Sequence, residues 1–236
     1  MKYAFIDLAS QQERIKPDID KKIASVLAHG QYIMGPEITA LEAALAARIG
    51  VKHVISCASG TDALLLALMG VKLRAGQGVI VPSFTFTASA EVMPLLGAIP
   101  IFAEIDEDTF NINPDRLGDA LSAASDQGVE VVGILAVGLF GQPANMEHIN
   151  SFASEHSLWV LDDAAQSFGT SFNGNHTGTM ADVTCTSFFP AKPLGCYGDG
   201  GALFTNDDEI AEIARSCRIH GQGKSKYHTE RLGMTA

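Results

Sequence analysis

One lysine stands in a setting that favours chemistry at its amine. Lys192 lies in the segment SFFPAKPLG, residues 187–195, between Pro190 and Pro193. The two prolines restrict the backbone, and apolar neighbours would partly remove the ammonium group from water. Desolvation lowers the pKa of a lysine, and its amine then becomes a nucleophile for a carbonyl carbon. Ser187 adds a hydroxyl five residues earlier, and the glycines that follow allow the backbone to approach a ligand closely.

This lysine suggests a site for pyridoxal phosphate (PLP), and an exposed lysine in a Pro/Gly loop is the alternative for the segment alone. PLP chemistry needs a lysine for the aldehyde, a carboxylate against the pyridine nitrogen, a phosphate cradle and a flat group over the ring. The chain offers a residue for each of these: Lys192, Asp163 after an apolar strand, Gly60 and Thr61 with Ser187, and Phe86. The combination indicates PLP far more strongly than any one of its members.

The phosphate cradle is predicted where a strand at 53–57 breaks at Ala58-Ser59-Gly60-Thr61-Asp62 and an apolar helix follows over 63–69. Free N–H groups and the dipole at the start of a helix attract anions, and the Thr61 hydroxyl adds a donor. The alternative is an ordinary helix N-cap, in which Thr61 or Ser59 satisfies the first turn.

Strands and helices alternate along the whole chain. Further strands are predicted at 79–81, 99–105, 129–137, 158–161, 183–188 and 202–205, and further helices at about 17–29, 36–49, 91–96, 115–124, 146–156 and 207–220. This alternation predicts an α/β fold with a mostly parallel, doubly wound sheet. Ligands of such sheets bind beyond the C-terminal ends of the strands, so the loops after 53–57, 79–81 and 158–161 are expected to share one edge.

Composition disfavours several other classes of protein. The 236 residues carry 16 basic and 27 acidic side chains, a net charge of −11, which disfavours a nucleic-acid or anionic-membrane partner. The strongest uncharged apolar run, 131–141, is too short to span a bilayer, and no signal-peptide pattern opens the chain. The four cysteines show no CxxC pair or zinc spacing, so we expect reduced thiols, a cytoplasmic location and no metal site. A nucleotide-binding oxidoreductase would need a GxGxxG turn after its first strand, which is absent.

Four segments carry a resemblance to a known family. They read GTDAL at 60–64, PSFTF at 82–86, DAAQSFG at 163–169 and SFFPAK at 187–192. Together with the block 187–205 they resemble the DegT/DnrJ/EryC1/StrS family of PLP-dependent nucleotide-sugar aminotransferases, over almost the whole chain. The segments FIDL at 5–8, HGQYIMGPE at 29–37 and KPLGCYGDGG at 192–201 look most like the branch that aminates UDP-2-acetamido-2-deoxy-3-oxo-D-glucuronate for bacterial surface polysaccharide such as O-antigen.

The resemblance implies the large domain of PLP-dependent transferase fold type I and a role for each matching residue. Lys192 would bind the cofactor aldehyde and act as the general base, and Asp163 would hold the pyridine nitrogen. Gln166 would bond to the ring hydroxyl. The other implied contacts are stacking on the ring by Phe86 and phosphate binding by Gly60, Thr61 and Ser187. The resemblance does not assign a role to Asp162, because relatives more often carry glutamate there and a carboxylate at the end of a strand can simply cap a turn.

The resemblance also implies how the chain is divided and what it acts with. Residues 1–30 are expected to pack on a C-terminal small domain, residues 31–236 to form the PLP-binding large domain, and the small domain to be missing. Thr235 falls near an asparagine that reaches the neighbouring subunit's phosphate in relatives. The expected partners are a keto-sugar nucleotide, glutamate and a second copy in a homodimer with a shared active site. A truncated, non-catalytic PLP-binding remnant is the alternative. Sugar dehydration is disfavoured, because relatives that catalyse it replace the lysine with histidine.

Overall fold

The computed structural model describes residues 6–225 and 227–236, so Phe5 of the FIDL segment lies outside the described residues. The strands are β1 His53–Cys57, β2 Gly78–Pro82, β3 Ile99–Ala103, β4 Val131–Val137, β5 Trp159–Asp163, β6 Ser171–Phe172, β7 Asn175–His176, β8 Val183–Ser187 and β9 Gly201–Thr205. The α-helices are α1 Leu8–His29, α2 Pro36–Ile49, α3 Gly60–Gly70, α4 Ala88–Leu95, α5 Leu117–Asp126, α6 Met146–Glu155 and α7 Asp208–Cys217. None of the helices described is long and apolar enough to cross a membrane.

Seven strands form one sheet in the order β1-β9-β8-β5-β4-β2-β3. β9 runs antiparallel to both of its neighbours, and the other six strands are mutually parallel. The α/β fold with a mostly parallel sheet is therefore confirmed. Since β1, β2, β5 and β8 point the same way, the loops that come after them meet at one edge of the sheet.

Helices cover both faces of the sheet. α3, α4 and α7 pack on one face around residues such as Leu66, Val92 and Leu161. α5 and α6 pack on the other face, and α2 covers the end of that face beside β1 and β9. Successive residues of a strand point to opposite faces, and accordingly Leu161 belongs to the first core and Val160 to the second.

α1 differs from the prediction and from the other helices. It begins at Leu8 rather than near residue 17, because the Asp7 carboxylate caps it by accepting from the Ser10 N–H at 3.0 Å. Pro17 lies inside the helix and is not its start. None of the residues of α1 is buried. The rest of the chain therefore packs its cores without this helix.

Three further boundaries bear on the site. β5 extends through Asp163, so both acidic residues lie in the strand and not in the loop after it. α7 ends at Cys217 rather than near His220, whose φ of 62° is incompatible with a continuing helix. The short hairpin of β6 and β7 was not expected from the sequence.

Candidate active site

A cavity of about 400 Å³ lies where β1, β2, β5 and β8 end. The wall includes every residue that the sequence predicts for the cofactor: Gly60, Thr61, Phe86, Asp163, Gln166, Ser187 and Lys192. These residues come from four separate loops and strand ends, and the parallel sheet brings them together. Thr235 and His220 are not part of this wall; instead the Thr235 hydroxyl lies 2.6 Å from His220 Nε2, beyond the end of α7.

The first turn of α3 forms one part of the wall. Ser59 is the N-cap residue, and its hydroxyl oxygen accepts from the Asp62 N–H at 3.0 Å. The same hydroxyl donates to the Asp62 carboxylate at 2.8 Å. Because Ser59 takes the capping role, the Thr61 hydroxyl is not needed as a cap. It lines the cavity and can serve a ligand at the positive end of the helix dipole.

Gly60 and Ser187 bring the two sides of this cradle into contact. A Cβ atom added to Gly60 would lie 2.6 Å from the Ser187 Cβ, so only glycine fits there without a shift of the backbone. The Ser187 oxygen accepts from the Phe189 N–H at 3.1 Å, and its own hydroxyl hydrogen remains available to a ligand. The cradle therefore offers two hydroxyl groups and the N–H groups of a helix start, which suit a phosphate.

Asp163 provides a buried carboxylate in another part of the wall. Its Oδ2 accepts from the Ser89 hydroxyl at 2.8 Å, and its Oδ1 accepts from the Ala165 N–H at 3.1 Å. Burial raises the pKa of Asp163, and the two hydrogen bonds and the Lys192 ammonium partly offset this shift. The anion thus has donors on both oxygens and one cation across the cavity.

Ser89 is a site residue that sequence reasoning missed. It lies on the buried side of α4, where its hydroxyl oxygen is also 3.1 Å from the Thr85 hydroxyl oxygen. The available signal was a serine on the same face as Val92 and Met93, because a buried polar group needs a hydrogen-bond partner. A partner 74 positions away in sequence could not be identified from that signal.

Lys192 is half-buried and lines the cavity from the loop between β8 and β9. Its N–H donates to the Phe189 carbonyl at 2.8 Å, and the Cys196 N–H donates to the Phe188 carbonyl at 2.8 Å, so the backbone folds into a tight turn around the lysine. Phe86 is 72% exposed at the mouth, where its ring is free to cover a planar ligand. Gln166 completes this side of the wall.

Asp162 does not cap a turn. It lies within β5, is 2% exposed, and points to the opposite face of the sheet from Asp163. Burial, together with the neighbouring Asp163 carboxylate, raises the pKa of Asp162 to about 7. This acid is outside the cavity wall.

The residues present fit PLP. Gly60 approaches Ser187 so closely that a Cβ atom on residue 60 would fill the cradle. The buried Asp163 carboxylate, which accepts two hydrogen bonds, faces the same cavity as the Lys192 amine. A phosphate would suit the cradle, a protonated pyridine nitrogen would suit the carboxylate, and an aldehyde would suit the amine.

A comparison with family models decides the affiliation. The model described as the DegT/DnrJ/EryC1/StrS aminotransferase family matches residues 13–236. The chain belongs to this family. The family is one of PLP-dependent sugar aminotransferases, and the predicted family is confirmed.

Three similar proteins illustrate the match. The UDP-2-acetamido-2-deoxy-3-oxo-D-glucuronate aminotransferase of Pseudomonas aeruginosa is 49% identical over 232 residues, 98% of this chain and 63% of that protein. A crystal structure of a DegT DnrJ EryC1 StrS aminotransferase from Brucella abortus has a TM-score of 0.96 and 45% identity over 99% of this chain and 63% of that one. The structure of NtdA from Bacillus subtilis with bound cofactor PMP has a TM-score of 0.89 and 30% identity over 99% of this chain and 52% of that one. The chain thus spans 52–63% of the length of these three relatives.

Proposed function

We propose that this chain is the PLP-binding large domain of an aminotransferase that moves an amino group from L-glutamate to a keto-sugar nucleotide. The favoured acceptor is UDP-2-acetamido-2-deoxy-3-oxo-glucuronate, the substrate named for the relative that is 49% identical. The observation that carries the proposal is the cavity itself, since Lys192, Asp163 and the Gly60–Ser187 cradle line a single space. We assign the reaction to the cytoplasm and to the synthesis of surface polysaccharide.

The predicted cofactor-binding residues of the wall have distinct tasks in this proposal. Bound PLP would supply an aldehyde and a pyridinium ring that accepts electrons from the substrate. Asp163, fixed by Ser89 and the Ala165 N–H, would keep the proton on the pyridine nitrogen. The Lys192 amine would move a proton at the substrate carbon that carries the amino group. Gln166 would hold the ring hydroxyl, and Phe86 would exclude water from one ring face.

A second copy of the chain is part of the proposal. Among the described residues that line the cavity, Lys192 is the one cation, against the carboxylates of Asp163 and Asp199. A phosphorylated cofactor and a nucleotide diphosphate together bring several negative charges, which need more cations than this wall supplies. Two aromatic side chains of the cavity wall, Phe86 and Phe189, are exposed and suit a covered surface. We therefore expect a homodimer whose partner completes each site.

The first residues of the chain enter the proposal through α1. Its side chains Ile15, Ile23 and Leu27 are exposed, and none of its residues is buried. An apolar helix side that the large domain leaves uncovered suits packing against another domain. We propose that residues 1–30 serve this purpose and that residues 31–236 form the cofactor-binding unit.

The deciding experiment records the visible absorbance of the protein mixed with PLP. A covalent link between the Lys192 amine and the aldehyde gives a visible band and a mass increase after borohydride reduction, and Lys192→Ala should lose both. Lys52→Ala is a matched control, because Lys52 is exposed and pairs with Asp208 on the surface. Retention of the band and of the mass increase in Lys192→Ala would refute the assigned role.

The amino donor and acceptor need separate measurements. Glutamate should bleach the visible band, and a 3-oxo UDP-sugar should then restore it, whereas 4-oxo dTDP-sugars should restore it more slowly. A band that glutamate leaves unchanged would support the alternative of a cofactor-binding chain without turnover.

A further inference from the structure

Two consecutive carboxyl groups on β5 point to opposite sides of the sheet. Asp163 faces the cavity, and Asp162 faces the second core, between Ala136 on β4 and Thr184 on β8. Both acids are almost fully buried. Two anions on adjacent buried residues repel each other strongly, so the pair behaves as one unit that retains a proton.

The surroundings of the two acids decide which of them carries that proton. Asp163 has a hydroxyl donor, a backbone N–H donor and the Lys192 ammonium, all of which favour its anionic form. Asp162 has none of these, and among the described residues its Oδ2 has no hydrogen-bond partner. A carboxylate oxygen without a donor is unfavourable in a core, whereas a protonated oxygen can itself donate.

An acceptor for that proton lies on the neighbouring strand. Asp162 and Thr184 are register partners of β5 and β8 and share one face of the sheet. The Thr184 hydroxyl is buried and, within the described part of the chain, its oxygen also has no partner. The two oxygens do not bond to each other in the structure, but neighbouring strands are about 4.8 Å apart, so a rotation of either side chain or one bridging water would join them. One proton between them would satisfy both atoms.

Among the described residues no cation offsets the burial of Asp162, and the charge that acts on it is the Asp163 carboxylate. α6 presents apolar side chains to this face, including Ile149 and Ala153. The Cys185 thiol, on the cavity side of β8, also interacts with Asp162, and burial raises the pKa of that thiol so far that it stays neutral. Asp163 is therefore the charged group to which Asp162 responds.

We infer that Asp162 is a positioning residue: it holds the proton of the buried pair and directs it to Thr184, which leaves the negative charge on Asp163 in the cavity. The inference rests on the proposed function for its consequence, because a carboxylate fixed as an anion is what a protonated pyridine nitrogen requires. The arrangement of the proton itself is a property of the protein without cofactor.

Infrared spectroscopy of the cofactor-free protein locates the proton. At pH 6 we expect one buried protonated carboxyl band that Asp162→Asn removes and that Asp163→Asn retains. In Asp163→Asn the band should titrate at lower pH, because the repelling neighbour is gone. Loss of the band in Asp163→Asn with retention in Asp162→Asn would put the proton on the cavity side and overturn the inference.

Thr184→Val tests the direction of the hydrogen bond without changing either acid. If Asp162 donates, removal of the acceptor destabilises the protonated form, and the proton affinity of the band should fall about tenfold. Thr186→Val, a buried threonine two residues along the same strand, is the control and should leave this titration unchanged. A shift to higher pH in Thr184→Val would mean that threonine donates to an anion, which contradicts the inference.

A PLP titration separates this inference from the proposed function. Asp162→Asn should keep the native visible band and bind PLP within about threefold of the native affinity, since Asn preserves a neutral side chain. Failure of every variant and of the native protein to form the band would refute the proposed function, and the infrared result would still decide where the proton lies. If the native protein forms the visible band and Asp162→Asn does not, the role of Asp162 is not limited to providing a neutral side chain, and the inference is contradicted.

Discussion

At the scale of single residues, the proposed phosphate cradle depends on the absence of one carbon atom at Gly60. Gly60→Ala would put a Cβ atom 2.6 Å from the Ser187 Cβ, so the start of α3 or the end of β8 must move. We expect the PLP dissociation constant to rise at least about tenfold, roughly 1.4 kcal/mol, and the unfolding free energy to fall by about 1–3 kcal/mol. Absorbance titration with PLP and urea unfolding measure the two effects.

Gly118→Ala is the control for this substitution. Gly118 lies in α5 and has open space where its Cβ would be. Alanine there should leave PLP affinity unchanged and raise helix stability by about 0.5–1 kcal/mol. Equal PLP affinities in the two alanine variants would show that the cradle tolerates the added carbon.

The buried acid beside the site makes stability depend on pH. Burial raises the pKa of Asp162 from 3.8 to about 7, so between these values the folded state holds a proton that the unfolded state has released. The unfolding free energy therefore falls as pH rises from about 4 to 7, by up to ~1.4 kcal/mol per pH unit, and this loss is complete above pH 7. In Asp162→Asn this part of the pH dependence should be absent. Urea unfolding should therefore show that the unfolding free energy of the variant, relative to that of the native protein, increases from about pH 4 to about pH 7.

Asp106→Asn gives a control of opposite sign. Hydrogen bonds from Thr109 lower the pKa of Asp106, so its stabilising contribution is present above its ordinary range and is lost as pH falls. Replacement of Asp106 should therefore weaken the protein at neutral pH relative to acid pH. Parallel stability curves for the native protein and Asp162→Asn would contradict a buried acid that titrates near neutrality.

That these residues line one cavity could be expected from the sequence, because their types and local segments carry the signal. Lys192 between two prolines and Gly60 at a helix start are recognisable from neighbours within a few positions. Ser89 was not found, since its role depends on Asp163, which only the folded sheet brings within 2.8 Å. The orientation of Asp162 could be predicted only from the exact end of β5, because one more residue of strand decides whether its side chain lies in a loop or faces a core.

At the scale of elements, a buried ion pair joins α2, β1 and the end of α7. The Arg218 guanidinium donates to Glu42 Oε1 at 2.7 Å and to the Ser56 carbonyl at 2.8 Å. Glu42 also accepts from the Ser56 N–H and hydroxyl, each at 2.9 Å. Glu42→Gln would leave the buried guanidinium without its anion, and we expect a loss of roughly 2–4 kcal/mol in urea unfolding.

The exposed pair of Arg116 and Asp119 is the matched control for this ion pair. Both side chains are more than half exposed, and their closest atoms are 2.9 Å apart. Asp119→Asn should change the unfolding free energy by less than about 0.5 kcal/mol, since water screens the pair. A loss in Glu42→Gln as small as this would mean that the three elements are not held together by the buried charge.

The elements themselves were predicted well where burial imposes a period and poorly where it does not. β4 is an apolar run and β8 is buried along its whole length, and the limits of both lie within two residues of the prediction. α1 was cut short because Pro17 was taken as its start, whereas the helix begins at Leu8 and Pro17 lies inside it. The antiparallel direction of β9 and the β6–β7 hairpin depend on pairing between strands, which no local pattern specifies.

At the scale of the whole molecule, the described residues divide into a packed sheet domain and one helix with little share in it. α7 contributes Ala211, Ala214 and Cys217 to the first core, whereas α1 contributes no buried residue. The His29 ring and the Glu37 carboxylate, 3.2 Å apart, form one of the contacts that join α1 to α2, and both side chains are partly exposed. Stability and cofactor binding should therefore reside in residues 31–236.

A chain that begins at residue 31 tests this division. Its unfolding free energy should lie within about 1 kcal/mol of the native value, and its visible band with PLP should be unchanged, because little apolar area is lost from the core. Ile23→Asp in the full chain should cost less than about 0.5 kcal/mol, while Leu45→Ala, in a core position of α2, should cost about 2–5 kcal/mol. A loss of several kcal/mol in the shortened chain or in Ile23→Asp would mean that α1 is covered in solution. Sedimentation at several concentrations would then identify a second copy as the cover if the chain self-associates and the loss shrinks on dilution.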